Sequence, residues 1–102
     1  MLVLKPNCEC CDCDLPPDSG VAMICSYECT FCKHCVDNVL ENVCPNCGGG
    51  FTLRPVRPAN AYRPGVSLKY QPASEVRVNT GYSRETLSDF AQAIKAIAPD
   101  KR

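Results

Sequence analysis

The chain has 102 residues, enough for one small domain or a very small domain with a tail, and too few for two ordinary folds. Ten residues are Cys and all ten lie between Cys8 and Cys47, which excludes a uniform globular chain with incidental thiols. The formal charge is zero but divided: residues 1–50 carry seven acids against Lys5 and Lys33, whereas residues 51–102 carry nine bases against four acids. The basic half can therefore lie on its own acidic half or reach for an anionic partner.

With no Trp, three Phe and four Tyr, the front half buries few large side chains. Ordering about 50 residues at about 1.5 kcal/mol each would cancel most of what apolar burial returns, so disulfides or metal must hold this half together. The run Met1–Leu4 is short, its first charge follows it and Pro6 ends it, so it does not read as a signal peptide. No stretch approaches the roughly 20 apolar residues of a membrane span, and no membrane association is expected. The expected location is the reducing cytoplasm, where clustered Cys means metal.

In chain order, Cys8-x2-Cys11 opens as a knuckle. Val21–Ile24 predicts a short strand leading into Cys25, and residues 27–31 predict its hairpin partner. After Cys35, the residues Val36, Val39, Leu40 and Val43 recur at helical spacing and predict a two-turn helix facing the metal core. Cys44-Pro45-Asn46-Cys47 is a second knuckle, followed by Gly48, Gly49 and Gly50 and a last strand at Phe51–Leu53. Residues 1–53 thus form a Cys-rich zinc-binding domain. Residues 54–82, with Pro55, Pro58, Pro64 and Pro72, predict an extended linker in which Val66–Tyr70 could add an edge strand. Residues 83–98 predict an amphipathic helix, with Ser83 as N-cap, Glu85 at its positive end, a stripe of Leu87, Phe90, Ala91, Ile94 and Ala98, and Pro99 as its stop. Such a stripe must bury itself on the head, on a second copy or on a partner protein, with Leu87, Phe90 and Ile94 making the contact.

The thiols run Cys8-x2-Cys11, thirteen residues, Cys25-x3-Cys29-x2-Cys32-x2-Cys35, eight residues, Cys44-x2-Cys47, leaving Cys10 and Cys13 over. In a Cys-x2-Cys turn two thiolates converge on one Zn²⁺ at about 2.3 Å, and two such turns close a tetrahedron. The expected ligands are Cys8, Cys11, Cys25, Cys29, Cys32, Cys35, Cys44 and Cys47, holding two Zn²⁺ in closed, structural sites. Cys10-x2-Cys13 has the same form as Cys8-x2-Cys11, so the first knuckle is ambiguous. The lone His34 is expected at the surface rather than on the metal.

The order of pairs resembles the RING-type cross-brace, with Cys25, Cys29, Cys32 and Cys35 where that family has its third to sixth ligands and Phe31 before the fifth. More closely, Asn7–Cys11 with Asp14–Asp18, Cys29–Cys32 and Cys44–Gly49 resembles a small bacterial family known as domain of unknown function 1272, over about residues 1–57. The resemblance implies a RING-like or treble-clef fold and no activity. It also favours Cys8 and Cys11 as the knuckle. A cross-brace would pair Cys8, Cys11, Cys32 and Cys35 at one site and Cys25, Cys29, Cys44 and Cys47 at the other. The sequential alternative pairs Cys8, Cys11, Cys25 and Cys29, then Cys32, Cys35, Cys44 and Cys47.

The fold class expected is a small metal-stabilised α+β module, a RING-like cross-brace with two zinc sites, one hairpin and one short helix, followed by a linker and a C-terminal helix. The expected function is a non-enzymatic zinc module that presents a protein-binding surface. Nucleic-acid binding is the alternative, carried by Arg54, Arg57, Arg63, Lys69 and Arg77 among Tyr62, Tyr70 and Tyr82. An iron–sulfur protein is another, since Cys29-x2-Cys32-x2-Cys35 and Cys44-Pro45 resemble a ferredoxin run. Against ubiquitin-ligase-like activity, Cys10 stands between the first two ligands where RING domains place an aliphatic residue, and Gly48 follows the last. No catalytic Ser/His/Asp set, phosphate loop or carboxylate pair appears.

Overall fold

The hairpin at the centre forms where the sequence turns apolar and β-branched. In a computed structural model describing residues 1–102, β1 (Ala22–Ile24) and β2 (Thr30–Cys32) pair antiparallel, with Ala22 opposite Cys32 and Met23 opposite Phe31. The turn between them closes through Glu28 N–H donating to the Cys25 carbonyl at 3.0 Å, and Glu28 takes a left-handed φ of 66°. β3 (Thr52–Leu53) pairs with the other edge of β1, so the sheet order is β2-β1-β3.

The predicted two-turn helix is replaced by a single α-helical turn and then a wider winding. α1 (Lys33–Cys35) is a single turn, capped by the Cys32 sulfur accepting the Cys35 N–H, and it continues into a π-helical turn over Val36–Leu40. The wider turn places Val36, Leu40 and, past it, Val43 inside, while Val39 is half-buried. Two left-handed residues, Glu41 and Asn42, end it. Asn42 holds that conformation by accepting the Phe51 N–H on its side-chain oxygen at 2.9 Å.

The core is assembled around Phe31, which is fully buried and meets Phe51 edge to face at 5.4 Å between ring centroids. Five of the twelve residues of the central cluster are Cys. A core with this share of thiols gains less from hydrophobic burial than an aliphatic one, and the state of the sulfurs bears directly on its stability.

Beyond Leu53 the chain is extended but lies on the head. Buried Arg54 donates to the carbonyls of Lys5 at 2.8 Å and Pro16 at 3.0 Å, and Arg57 to Leu2 at 2.6 Å. Further on, Ser74 N–H donates to the Leu4 carbonyl, Val78 exchanges two bonds with the Asn7 side chain, and Thr80 N–H donates to the Glu9 carbonyl. Residues 74–80 therefore run as a strap alongside residues 4–9. Arg77 grips the Asp12 carbonyl at 2.6 Å and the Asp14 carboxylate at 2.8 Å, so part of the basic half meets the acidic half directly. Val66–Tyr70 does not form the edge strand expected from its alternation. Gly65 at φ +77° turns the chain, and Tyr70 and Gln71 N–H groups both donate back to the carbonyl of buried Ser67.

α2 (Arg84–Ile94) begins as read, with the Ser83 hydroxyl oxygen accepting the Thr86 N–H at 3.1 Å. It stops at Ile94 rather than Ala98. Pro99 instead opens a 3₁₀ turn at Pro99–Lys101, after which Arg102 donates to the carbonyls of Asn42 and Gly48. Leu87 and Ala91 are buried where α2 packs on the Val36–Leu40 turn, and Leu87 joins the central cluster. A methyl group built at Gly48 would meet Ile94 Cδ1 at 3.7 Å, which places the helix over the last knuckle. Ser83→Ala should cost about 1 kcal/mol of stability in chemical denaturation, with amide exchange accelerated in the first turn of α2. Unchanged exchange there would show that docking of Leu87, and not the cap, holds the helix start.

Candidate metal centre

The ten thiols are all free, and the fold gathers seven of them in two groups, one at each of two poles joined by β2. Cys29 precedes β2 and Cys32 ends it. Three residues of extended chain place these sulfur-bearing positions about 10 Å apart.

At the first pole the sulfurs of Cys8, Cys11, Cys13 and Cys32 all lie within 4.8 Å of one another. The Cys11–Cys32 sulfur separation is 3.8 Å, far beyond a disulfide. It matches the edge of a tetrahedron with about 2.3 Å metal–sulfur bonds, which is about 3.8 Å. The loop that makes this possible is local: Cys8 N–H donates to the Cys13 carbonyl at 2.9 Å, and Asp12, at a left-handed φ of 65°, turns the chain back. At the second pole Cys25, Cys44 and Cys47 lie within 4.8 Å of one another, and burial together with the Cys25 thiol pushes the Cys29 thiol up.

Backbone N–H groups point at these sulfurs. Cys8 accepts from Cys10 at 3.4 Å and Cys11 at 3.5 Å, Cys25 from Tyr27 at 3.3 Å, Cys32 from Cys35 at 3.4 Å and Cys47 from Gly49 at 3.4 Å. These donors offset thiolate charge and orient the sulfurs. In the first loop these donors fall on the Cys8 sulfur.

The thiols bear on one another. Burial pushes Cys8, Cys35 and Cys44 up, and the neighbouring sulfurs add to it: Cys32, Cys8 and Cys10 around Cys35, Cys25 and Cys29 around Cys44. Burial and the sulfurs of Cys11 and Cys32 push Cys13 to about 12. Cys11 is raised by burial too, but the Cys13 backbone N–H and the thiols of Cys13, Cys8 and Cys32 outweigh it and bring it to about 7. Without a cation, Cys8, Cys13, Cys35 and Cys44 thus hold their protons, and Cys11 at the exposed rim gives its proton up more readily. A divalent cation reverses this by deprotonating its ligands outright.

Of the eight expected ligands, the fold brings Cys8, Cys11 and Cys32 together and Cys25, Cys44 and Cys47 together, while Cys29 and Cys35 fall outside both groups, the Cys35 N–H donating to the Cys32 sulfur. The sequential pairing would need Cys25 beside Cys8 and Cys11, and Cys32 beside Cys44 and Cys47. Cys13, left over in the sequence reading, joins the first group, and Cys10 is half-buried outside it. The hint was its position two residues after Cys11 in a loop whose return the sequence does not display. His34 is exposed, outside both groups, and bonded to Asn38. Glu9 was also missed. Its buried carboxylate accepts the Thr30 N–H at 2.6 Å and pairs with Lys5 at 3.2 Å, joining the first knuckle to the strand between the poles.

No helix of the chain is long and apolar enough to cross a membrane. The family described as "Protein of unknown function (DUF1272)" matches residues 1–57, the segment that holds all ten Cys. The chain is 60% identical over 78 residues to "Uncharacterized protein R02474" of Rhizobium meliloti (strain 1021), covering 76% of this chain and 86% of that protein. No solved structure matches. With a match over more than half its length and such a relative, the chain belongs to the DUF1272 family.

Proposed function

We propose that the chain is a non-enzymatic, cytoplasmic zinc module of RING-like, cross-braced architecture, in which metal replaces the missing hydrophobic core and the folded head presents an interaction surface. Its ligands are Cys8, Cys11, Cys32 and Cys35 at one pole and Cys25, Cys29, Cys44 and Cys47 at the other. The observation that carries this reading is the gathering of Cys8, Cys11, Cys13 and Cys32 in one group and Cys25, Cys44 and Cys47 in another, from alternating chain segments, with the Cys11 and Cys32 sulfurs at the 3.8 Å a tetrahedral ion needs. All-thiolate tetrahedra select zinc or iron–sulfur chemistry. A closed four-thiolate zinc site leaves no position for substrate, and the role left to it is structural.

The surface offered to a protein partner is the turn after β1, where Tyr27 is 76% exposed and lines a recess of about 430 Å³ with Asn46 and Cys47. α2 buries its own Leu87 against the Val36–Leu40 turn. A second copy or a partner meeting the helix would touch its half-exposed rim at Phe90 and Ile94 instead. Nucleic-acid binding loses much of its footing, because Arg54, Arg57 and Arg77 all donate to carbonyls or carboxylates of the chain itself.

Metal analysis of protein purified without added metal should find zinc at two or more ions per chain in a colourless solution. Cys44→Ser should remove the second pole's ion and the dispersion of the NMR spectrum, whereas His34→Ala should leave zinc content unchanged. A brown protein carrying iron would overturn the zinc reading in favour of an iron–sulfur centre.

A further inference from the structure

The four sulfurs gathered at the first pole are not the four that knuckle spacing selects. Those of Cys8, Cys11, Cys13 and Cys32 all lie within 4.8 Å of one another, and Cys35, the fourth ligand of a cross-brace, is not among them. Three of the four come from one loop, and β2 supplies the fourth at its end.

The loop itself brings Cys13 back. Leu15 N–H donates to the Pro6 carbonyl at 2.8 Å, Asn7 bridges to Asp14, and Cys8 N–H donates to the Cys13 carbonyl at 2.9 Å. Residues 6–8 and 13–15 thus run antiparallel, which sets Cys8 and Cys13 opposite each other as cross-strand neighbours. Asp12, left-handed at φ 65°, makes the turn between them. Arg77 clamps that turn, donating to the Asp12 carbonyl at 2.6 Å, to the Asp12 carboxylate at 3.1 Å and to the Asp14 carboxylate at 2.8 Å. The clamp comes from the strap, outside the 1–57 segment that the family model matches.

Cys13 and Cys35 differ in what holds them in place. Cys35 is 1% exposed and belongs to the central cluster with Val36 and Leu40, so burial as a small apolar side chain accounts for its position. Cys13 is exposed, and no packing draws its sulfur to the other three. We propose that the first zinc ion is held by Cys8, Cys11, Cys13 and Cys32, and that Cys35 is a packed core thiol rather than a ligand. This rests on the reading of the chain as a two-site zinc module and exchanges one ligand of its first pole. With Cys11 and Cys13 exposed, part of the site's negative charge stays in contact with water, where it costs less than in the core.

The test uses the full chain loaded with cadmium-113, whose coupling through sulfur correlates each ion with the β-protons of its own ligands. In the wild-type protein one ion should correlate with Cys8, Cys11, Cys13 and Cys32, and neither ion with Cys35. In zinc competition with a chromophoric chelator, Cys13→Ser should weaken one of the two ions by more than about 10-fold, since loss of an outer-shell partner alone costs about 10–100-fold. Cys35→Ala should hold both ions at wild-type affinity. A Cys35 correlation or the lack of a Cys13 correlation in the wild-type chain overturns the proposal even where a variant fails to fold, and Cys13→Ser holding both ions at wild-type affinity does the same. Two all-thiolate ions with Cys35 as a ligand leave the zinc module standing, whereas iron or no metal overturns both.

Discussion

Stripping the metal with a strong chelator is expected to unfold the head, with loss of NMR dispersion over residues 1–57 and recovery on adding zinc. Structural zinc contributes on the order of 10 kcal/mol or more per site at neutral pH, comparable to the whole stability of a small domain. Little here could substitute. Only 22 of 102 residues are buried, and five of the twelve in the central cluster are Cys whose packing assumes gathered sulfurs. Acid should act in the same direction, because protons compete for every ligand thiol and affinity falls as pH falls. A chain that keeps a dispersed spectrum in chelator at neutral pH would show that hydrophobic packing and the arginine contacts hold it alone.

Phe31→Ala should cost about 3–5 kcal/mol in denaturation of the metal-loaded protein, the range for removing a fully buried aromatic. The ring lies on the strand that joins the poles, opposite Met23 and edge to face with Phe51, so its loss opens a cavity in the centre of the head. Zinc content should survive at low temperature, since no ligand is touched. A loss below about 1 kcal/mol would mean that the head's stability resides in its metal sites and hardly at all in its core.

The strap and α2 explain why the tail is no independent appendage. Their attachment uses arginines donating to backbone carbonyls: Arg54 to Lys5 and Pro16, Arg57 to Leu2, Arg77 to Asp12, Arg102 to Asn42 and Gly48. Every residue has a carbonyl, so no pattern of side chains marks which one an arginine will find. The charge division of the halves was legible, and the Arg77 contact with Asp14 expresses it, but the partners were not.

What the sequence determined by itself follows from local physics. Cys density in a core-poor head pointed to metal, β-branched runs beside Cys25 and Cys32 marked the hairpin, and Ser83 before a one-sided apolar stripe marked the start of α2. Each depends on neighbours within a few residues. What the tertiary structure decided depends on distant segments meeting: that Cys32 joins Cys8 and Cys11 while Cys25 joins Cys44 and Cys47, and that Cys13 returns to the first pole. It also decided that Val36–Leu40 winds wide and that Val66–Tyr70 turns instead of pairing. Spacing states which thiols can form a knuckle, but a tetrahedron needs two knuckles. Which two meet is set by the three-residue strand β2, whose length and direction send Cys29 to one pole and Cys32 to the other.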